Sequence, residues 1–404
     1  MLKRLILIVL LLNVSFLYSA ESSHWRGPNR NGIYPEKNLL KKWPENGPKL
    51  LWSVEDLGKG YSSAAVTKNK VYITEMVDGI GYLRAYTLTG KFLWKKSYGK
   101  DWEKSYDGTR TTPTVLDGRI YLMSAFGNVF CFEATKGVKF WSVDLQKTFG
   151  ARNITWGMTE SLLIDGNKVI CTPGGSKVTM AALDRFTGKT IWTCKANGEK
   201  SAYCSPLLIN HGKLRILVTM IEKSIIGVNA DTGEYLWSHR HVTEYDIHAN
   251  TPIYKDGFIY CTSGYGTGGV KLKLSADGKS VQEMWRNKSL DSQIGAAILV
   301  DGYIYGSGHS TNGWQCLDWN TGEVKYKSRE LGGKGNIIYA DGMLYCYSER
   351  GFVALVKPNP DVFEVVSSFK IKKGSNPHWA HLVISDGRLY VHHGNVLLVY
   401  SISK

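Results

Sequence analysis

After roughly its first two dozen residues the chain alternates between apolar and polar positions. Short runs such as "RIYLM" (119–123), "FIYCT" (258–262) and "MLYCY" (343–347) recur along its length. A period of two marks a strand with one buried face, and no window after the N-terminus keeps the 3.6-residue period of an amphipathic helix. Asp-Gly pairs at 117–118, 165–166, 256–257, 301–302, 341–342 and 386–387 each precede one of these runs. Asp-Gly between alternating runs reads as a tight hairpin, because both residues tolerate positive φ. A second string closes each unit: "ALDRFTGKTIW" (182–192), with near-copies "VNADTGEYLW" (228–237), "CLDWNTGEVKY" (316–326), "CFEATKGVKFW" (131–141) and "AYTLTGKFLW" (85–94). In all five the aromatic stands four residues after the glycine.

Aligned on the outer aromatic, the units place Trp52, Trp94, Trp141, Trp192, Trp237, Trp285, Tyr326 and Phe369 at intervals of 41 to 51 residues. That is the period of a four-stranded propeller blade. Each unit reads strand A, Asp-Gly turn, strand B, irregular loop, strand C, Thr-Gly turn, strand D. The A strands are expected near 62–67, 111–116, 159–164, 204–209, 250–255, 296–300, 336–340 and 381–385. The last unit supplies A, B and C only, and "PKLLWSV" (48–54) can serve as its fourth strand. Such a closure removes both free sheet edges. The expectation is an all-β fold, an eight-bladed β-propeller forming a single domain over 23–404. Seven blades is the alternative, since the seventh unit lacks both Thr-Gly and Trp. The outer tryptophans are read as structural, each projecting between neighbouring blades.

Composition narrows the class. With 43% hydrophobic, 12% aromatic and 21% charged residues the chain reads as folded and β-rich, with no disordered tail. The start carries Lys3 and Arg4, an apolar run, and small residues near Ala20 and Ser22. This reads as a secretory signal over 1–22, which makes the protein exported, periplasmic or secreted, with no transmembrane span in the mature chain. No cysteine follows the apolar run, so a lipid anchor is not expected. Seven cysteines would suggest disulfides in an exported chain. Five of them, Cys131, Cys171, Cys261, Cys316 and Cys346, lie inside apolar runs and read as small buried hydrophobes; a Cys194–Cys204 pair stays open. The net charge of +15 is scattered among turns, which favours anionic polymers or ligands and, without a recognised binding module, no nucleic acid.

Strand order puts the short A–B and C–D turns on one face and the longer D–A and B–C connections on the other, where function is expected. The starts of the A strands then line the channel mouth with Tyr61, Arg110, Trp156, Tyr203, His248, Gln293, Lys334, His378 and His381. Arg110 and Lys334 would be charge partners for a planar or anionic ligand, with Trp156 as a stacking face. His378 and His381, or His392 and His393, could offer imidazoles, but no carboxylate set accompanies them, so no metal site is expected. The "SGYGTGG" loop (263–269) joins two strands and reads as a turn rather than a phosphate cradle.

The repeated "ALDRFTGKTIW" string resembles the tryptophan-docking motif of pyrroloquinoline-quinone-like (PQQ-like) propeller repeats, and the resemblance covers essentially the whole chain after the leader. "HWRGPNRNGIYPE" (24–36) is similar to the opening of many exported PQQ-like repeat proteins. The family contains quinoprotein alcohol dehydrogenases and the outer-membrane assembly propeller BamB, so the resemblance leaves two functions open. One is a monomeric binding scaffold for an envelope protein, polymer or small ligand. The other is a PQQ-dependent alcohol dehydrogenase-like oxidoreductase with calcium. Against the second, the chain has no adjacent-cysteine pair and no haem motif, and Asp246 and Asp291 have no assignable base or metal partner. No catalytic residue is assigned.

Overall fold

The computed structural model describes residues 22–295 and 297–404; the expected signal over 1–22 lies outside the described residues except for Ser22. Eight antiparallel sheets follow one another, spanning 65–100, 114–144, 163–194, 207–240, 253–287, 298–328, 335–370 and 383–401. We call them blades 1 to 8. In blade 8 the fourth strand is Leu50–Val54, paired antiparallel with Val396–Ser401. The ring therefore closes through the N-terminal strand and has eight blades.

Eight apolar clusters hold the ring, each shared by two neighbouring blades. The cluster at the closing seam joins Val71, Ile73 and Tyr86 of blade 1 to Tyr390, Leu397 and Val399 of blade 8. All seven cysteines are buried and unpaired. Cys194 packs in the seam between blades 3 and 4, while Cys204 belongs to the next seam and donates to the Asn250 carbonyl at 3.2 Å.

The outer aromatics bridge seams through a recurring contact. Trp94 lies against Gly137, Trp141 against Gly188, Trp192 against Gly233 and Trp285 against Gly322, in each case the turn glycine of the following blade. The closing seams repeat it, with Phe369 on Gly47 and Trp52 on Gly90. The indole N–H groups of Trp52, Trp141, Trp192 and Trp285 donate to the carbonyls of Leu88, Arg185, Ala230 and Trp319, at 3.0 to 3.3 Å. Glycine is required at these turns twice over: Gly188 has φ 74°, and a Cβ there would meet Trp141 at 2.9 Å.

Every fourth strand also carries a β-bulge. The strand register slips by one residue at Leu51, Leu93, Phe140, Ile191, Leu236, Met284, Lys325 and Val366. In all blades but the seventh the bulged residue directly precedes the outer aromatic, so the slip turns that ring toward the next blade.

Three local expectations shift. Seven of the eight first strands begin about three residues later than read, at Ala65, Thr114, Leu163, Leu207, Ile253, Ile298 and Val383, while that of blade 7 begins at Gly335, as expected to within one residue. The preceding residues bond across the seam instead of along the ladder. The N–H groups of His381, Ser63, Thr112 and Ser161 donate to the hydroxyls of Ser63, Thr112, Ser161 and Ser205 at 2.9 to 3.1 Å. Five of the six predicted Asp-Gly turns have positive φ at both residues, but at 165–166 Asp165 stays in its strand and only Gly166 is left-handed. Leu145–Phe149 is a short helix, capped by Asp144 and Gly150, too brief to show a helical period.

The N-terminal segment fills the channel. Ser22–Ser23 pairs antiparallel with Val115 and Leu116 of blade 2, and Ile33–Tyr34 pairs parallel with Tyr339 and Ala340 of blade 7. The chain thus enters from the short-turn face, turns inside the ring and leaves by the same face. Two buried arginines fix the turn. Arg30 donates to the carbonyls of Pro206, Leu162 and Ser161 at 3.1, 3.1 and 2.6 Å, and Arg26 to that of Ala297 at 3.1 Å. Burial drags both guanidinium pKa values down to about 10, so both remain cations at neutral pH.

Candidate functional site

Above the plug, on the loop-rich face, the channel widens into a cup of about 470 Å3. Its chemistry is aromatic: Trp25 at the floor, Tyr61, Tyr106 and Trp379 on one side, and Trp156, Tyr203, Tyr245 and Tyr265 on the other. The rings brace one another. Trp379 lies 5.2 Å from Tyr61 and 5.0 Å from Tyr106, and Tyr245 meets Trp156 and Tyr265 edge-on at 5.8 and 5.6 Å. Trp25 packs edge-on to His381 at 5.3 Å. Three of the tyrosines, Tyr106, Tyr245 and Tyr265, have φ of 55°, 58° and 57°. A left-handed non-glycine costs on the order of 1–2 kcal/mol, and strain of this kind clusters at binding sites.

Polar groups in the cup are mostly donors. Ser63, Thr112, Ser161 and Ser205 line it and accept N–H bonds from the seam ladder, which leaves each hydroxyl proton to give. Arg110 is held by the carbonyls of Gly108 and Tyr106 at 2.8 and 2.6 Å and stands over the Tyr61 ring at 5.7 Å. Burial lowers its pKa, with Asp101 opposing that shift. His381 Nε2 faces the Ile294 carbonyl at 3.0 Å and so carries the proton. Burial holds its pKa down to about 3, which keeps the ring neutral. Desolvation lifts the Tyr203 phenol to about 12.

Of the nine channel-mouth residues read from sequence, Tyr61, Arg110, Trp156, Tyr203, Gln293 and His381 come together in the cup. The other three do not. His248 is fully buried behind the wall, with Nδ1 2.7 Å from Ser263 Oγ. Lys334 bonds Gln293 Oε1 at 2.5 Å and His309 Nδ1 at 2.7 Å, backing the cup from outside. His378 stacks on His393 at 3.5 Å and bonds the Tyr347 hydroxyl. Alternation explains the misses, because neighbouring positions at a strand start point to opposite sides. Sequence reasoning passed over Trp25, Tyr106, Tyr245, Tyr265 and Trp379. For Tyr106 and Tyr245 the signal was an aromatic in a D–A connection; Trp25 enters from the far end of the chain.

A family model described as outer membrane protein assembly factor BamB, built of PQQ-like repeats, matches residues 79–328, more than half of the chain. The chain belongs to the PQQ-like propeller family. Quinoprotein alcohol dehydrogenase PedH of Pseudomonas putida is 28% identical over 172 residues, 41% of this chain and 27% of that one. Outer membrane protein assembly factor BamB of Kangiella koreensis is 28% identical over 210 residues, 51% of this chain and 49% of that one. The chain thus spans half or less of these relatives' own length. The solved structure of BamB from Moraxella catarrhalis overlays with a TM-score of 0.63 at 16% identity, covering 87% of this chain and 97% of that one; at that identity it shows the fold alone.

A quinone held with calcium, which the resemblance to quinoprotein dehydrogenases implies, does not match this donor set. Calcium takes six to eight oxygens, carboxylates prominent among them, and no carboxylate lines the cup. Among the described residues no group of three or more His, Cys, Asp or Glu is placed to hold a metal.

Proposed function

We propose that this PQQ-like propeller is an exported binding scaffold that takes a flat, anionic ligand into the aromatic cup without transforming it. The observation that carries the reading is the pairing of braced, partly strained aromatic walls with a set of lining hydrogen-bond donors and one fixed cation, Arg110. Flat ring systems stack on such walls, and acidic substituents meet the hydroxyls and the guanidinium. General acid–base catalysis is most efficient with a group titrating near neutrality, and burial holds His381 down to about 3 and lifts Tyr203 to about 12. The six predicted residues inside the cup are the proposed contacts, with Trp25, Tyr106, Tyr245, Tyr265 and Trp379 added to them. Export rests on the leader, and an envelope role agrees with the relatives named as outer membrane assembly factors. A small molecule, or the acidic tip of an envelope protein or polymer, would satisfy the same chemistry. The second reading, a quinoprotein alcohol dehydrogenase-like oxidoreductase, draws on the relatives that carry that name.

Pyrroloquinoline quinone is a suitable probe because it is flat and carries carboxylates. Titrated into the protein and followed by tryptophan fluorescence, it should bind with or without calcium. Arg110→Met should weaken binding roughly tenfold or more, the worth of a charged hydrogen bond. A dye-linked alcohol oxidation assay should show no turnover. Calcium-dependent binding with turnover would replace the scaffold with the dehydrogenase, and no binding of flat anions would remove the cup as proposed.

A further inference from the structure

A separate surface lies on the opposite face of the ring, where the short turns meet the outer strands. The bulged side chains of blades 8, 1, 2 and 3, Leu51, Leu93, Phe140 and Ile191, are 37% to 47% exposed. Beside them Phe186, in the turn before the fourth strand of blade 3, is 47% exposed. The patch runs across a seam: the Arg119 guanidinium stands 4.3 Å over Phe140 of blade 2 and 5.1 Å over Phe186 of blade 3.

The bulged Met284 of blade 5 is also 47% exposed, so it is charge that sets this half of the rim apart. The strings on this half, "GKFLWKK", "GVKFW" and "TGKTIW", contain lysines and no acid, whereas "TGEYLW" and "TGEVKY" on the other half put glutamate after the glycine. Lys91, Lys96, Lys139 and Lys189 are exposed, and among the described residues none of them makes an ion pair. Rim lysines of the other half do: Lys279 with Glu234, Lys325 with Glu323 and Lys357 with Glu364. Unpaired cations interleaved with exposed aromatic and aliphatic side chains are the chemistry of an interfacial membrane contact. The chain also enters the ring on this face, at Ser22 beside Leu116 of blade 2, within the basic half.

We propose that this half of the rim docks on an anionic lipid surface. The four lysines and Arg119 meet phosphate headgroups, and the bulged side chains enter the layer beneath. The cup then faces away from the membrane, open to ligand, and the docking does not depend on what the cup holds.

The test is co-sedimentation of the full chain with vesicles of phosphatidylcholine alone and of phosphatidylcholine mixed with phosphatidylglycerol. Anionic vesicles should be bound and neutral ones not, with affinity falling as salt rises. The variant K91E/K96E/K139E/K189E should bind roughly a hundredfold more weakly or worse, since each lysine near such a surface is worth about fivefold. The variant L93S/F140S/I191S should also bind anionic vesicles more weakly, whereas Glu234→Gln and Glu323→Gln on the other half should not. Equal binding to both vesicle types, or indifference to the rim substitutions, overturns the proposal; that is also the pattern of attachment through the apolar leader alone. Salt sensitivity of the unaltered chain supplies a readout that needs no variant to fold.

Discussion

The buried ionisable side chains behave in opposite ways, and the difference is measurable. His248 is fully buried, and burial depresses its pKa from 6.5 to about 4. The unfolded chain therefore protonates this ring before the native one does. Its contribution to stability is present above pH 6.5 and is lost as pH falls toward 4. Glu160 is the reverse: burial raises its pKa from 4.5 to about 8, against the opposing pull of the Thr172 N–H on one oxygen and of nearby Arg30. Its contribution is complete below pH 4.5 and is lost as pH rises through 8. Between pH 7 and pH 5 each group shifts stability by about 2 kcal/mol, with opposite sign. Urea unfolding at these two pH values should show His248→Gln removing a loss and Glu160→Gln removing a gain; unchanged pH dependence in both would contradict the assigned states. Six cup residues were legible in the sequence because they stand just upstream of recognisable strands. Tyr106, Tyr245 and Tyr265 were not, because their inward aim depends on left-handed backbone that side-chain type does not announce.

The unit of this fold is the seam rather than the blade, and the turn glycine decides how closely the seam shuts. Gly188 and Gly118 have nearly equal φ, 74° and 71°, so alanine at either position suffers similar backbone strain. A Cβ at Gly118 would meet nothing within 4 Å, whereas one at Gly188 would meet the Trp141 ring at 2.9 Å. Gly118→Ala should cost about 1–2 kcal/mol, and Gly188→Ala a further 1–3 kcal/mol from overpacking. Equal losses in urea unfolding would show that the seam yields freely. Strand order, hairpin turns and the aromatic-to-glycine spacing were all readable, because alternation and turn chemistry are local. The bulges were not, because a one-residue slip is set by pairing with the third strand and leaves no mark in the local alternation.

At the scale of the ring, closure was foreseeable and the plug was not. The missing fourth strand of blade 8 could be found by counting, but "HWRGPNRNG" looks like a polar leader to the first strand. Its role depends on carbonyls of Ser161, Leu162 and Pro206, 131 to 176 residues away from Arg30, which only the closed ring brings together. The eight seams draw apolar residues from Tyr34 onward, so the hairpin at 22–32 is an insert in the channel, not a part of the ring. Deleting 22–32 should therefore leave the β-sheet circular dichroism in place while lowering the melting temperature, since water can then reach the carbonyls that Arg26 and Arg30 now satisfy. It should also take away the Trp25 floor, and with it at least tenfold of the affinity for a flat anionic probe. Trp25→Ala, which keeps the plug but removes the ring, isolates the floor contact and should reproduce most of that loss. A deleted chain that keeps both its ring and its full affinity would place ligand recognition in the loops alone, and the cup would then be a gap above the plug, not a site that the plug completes.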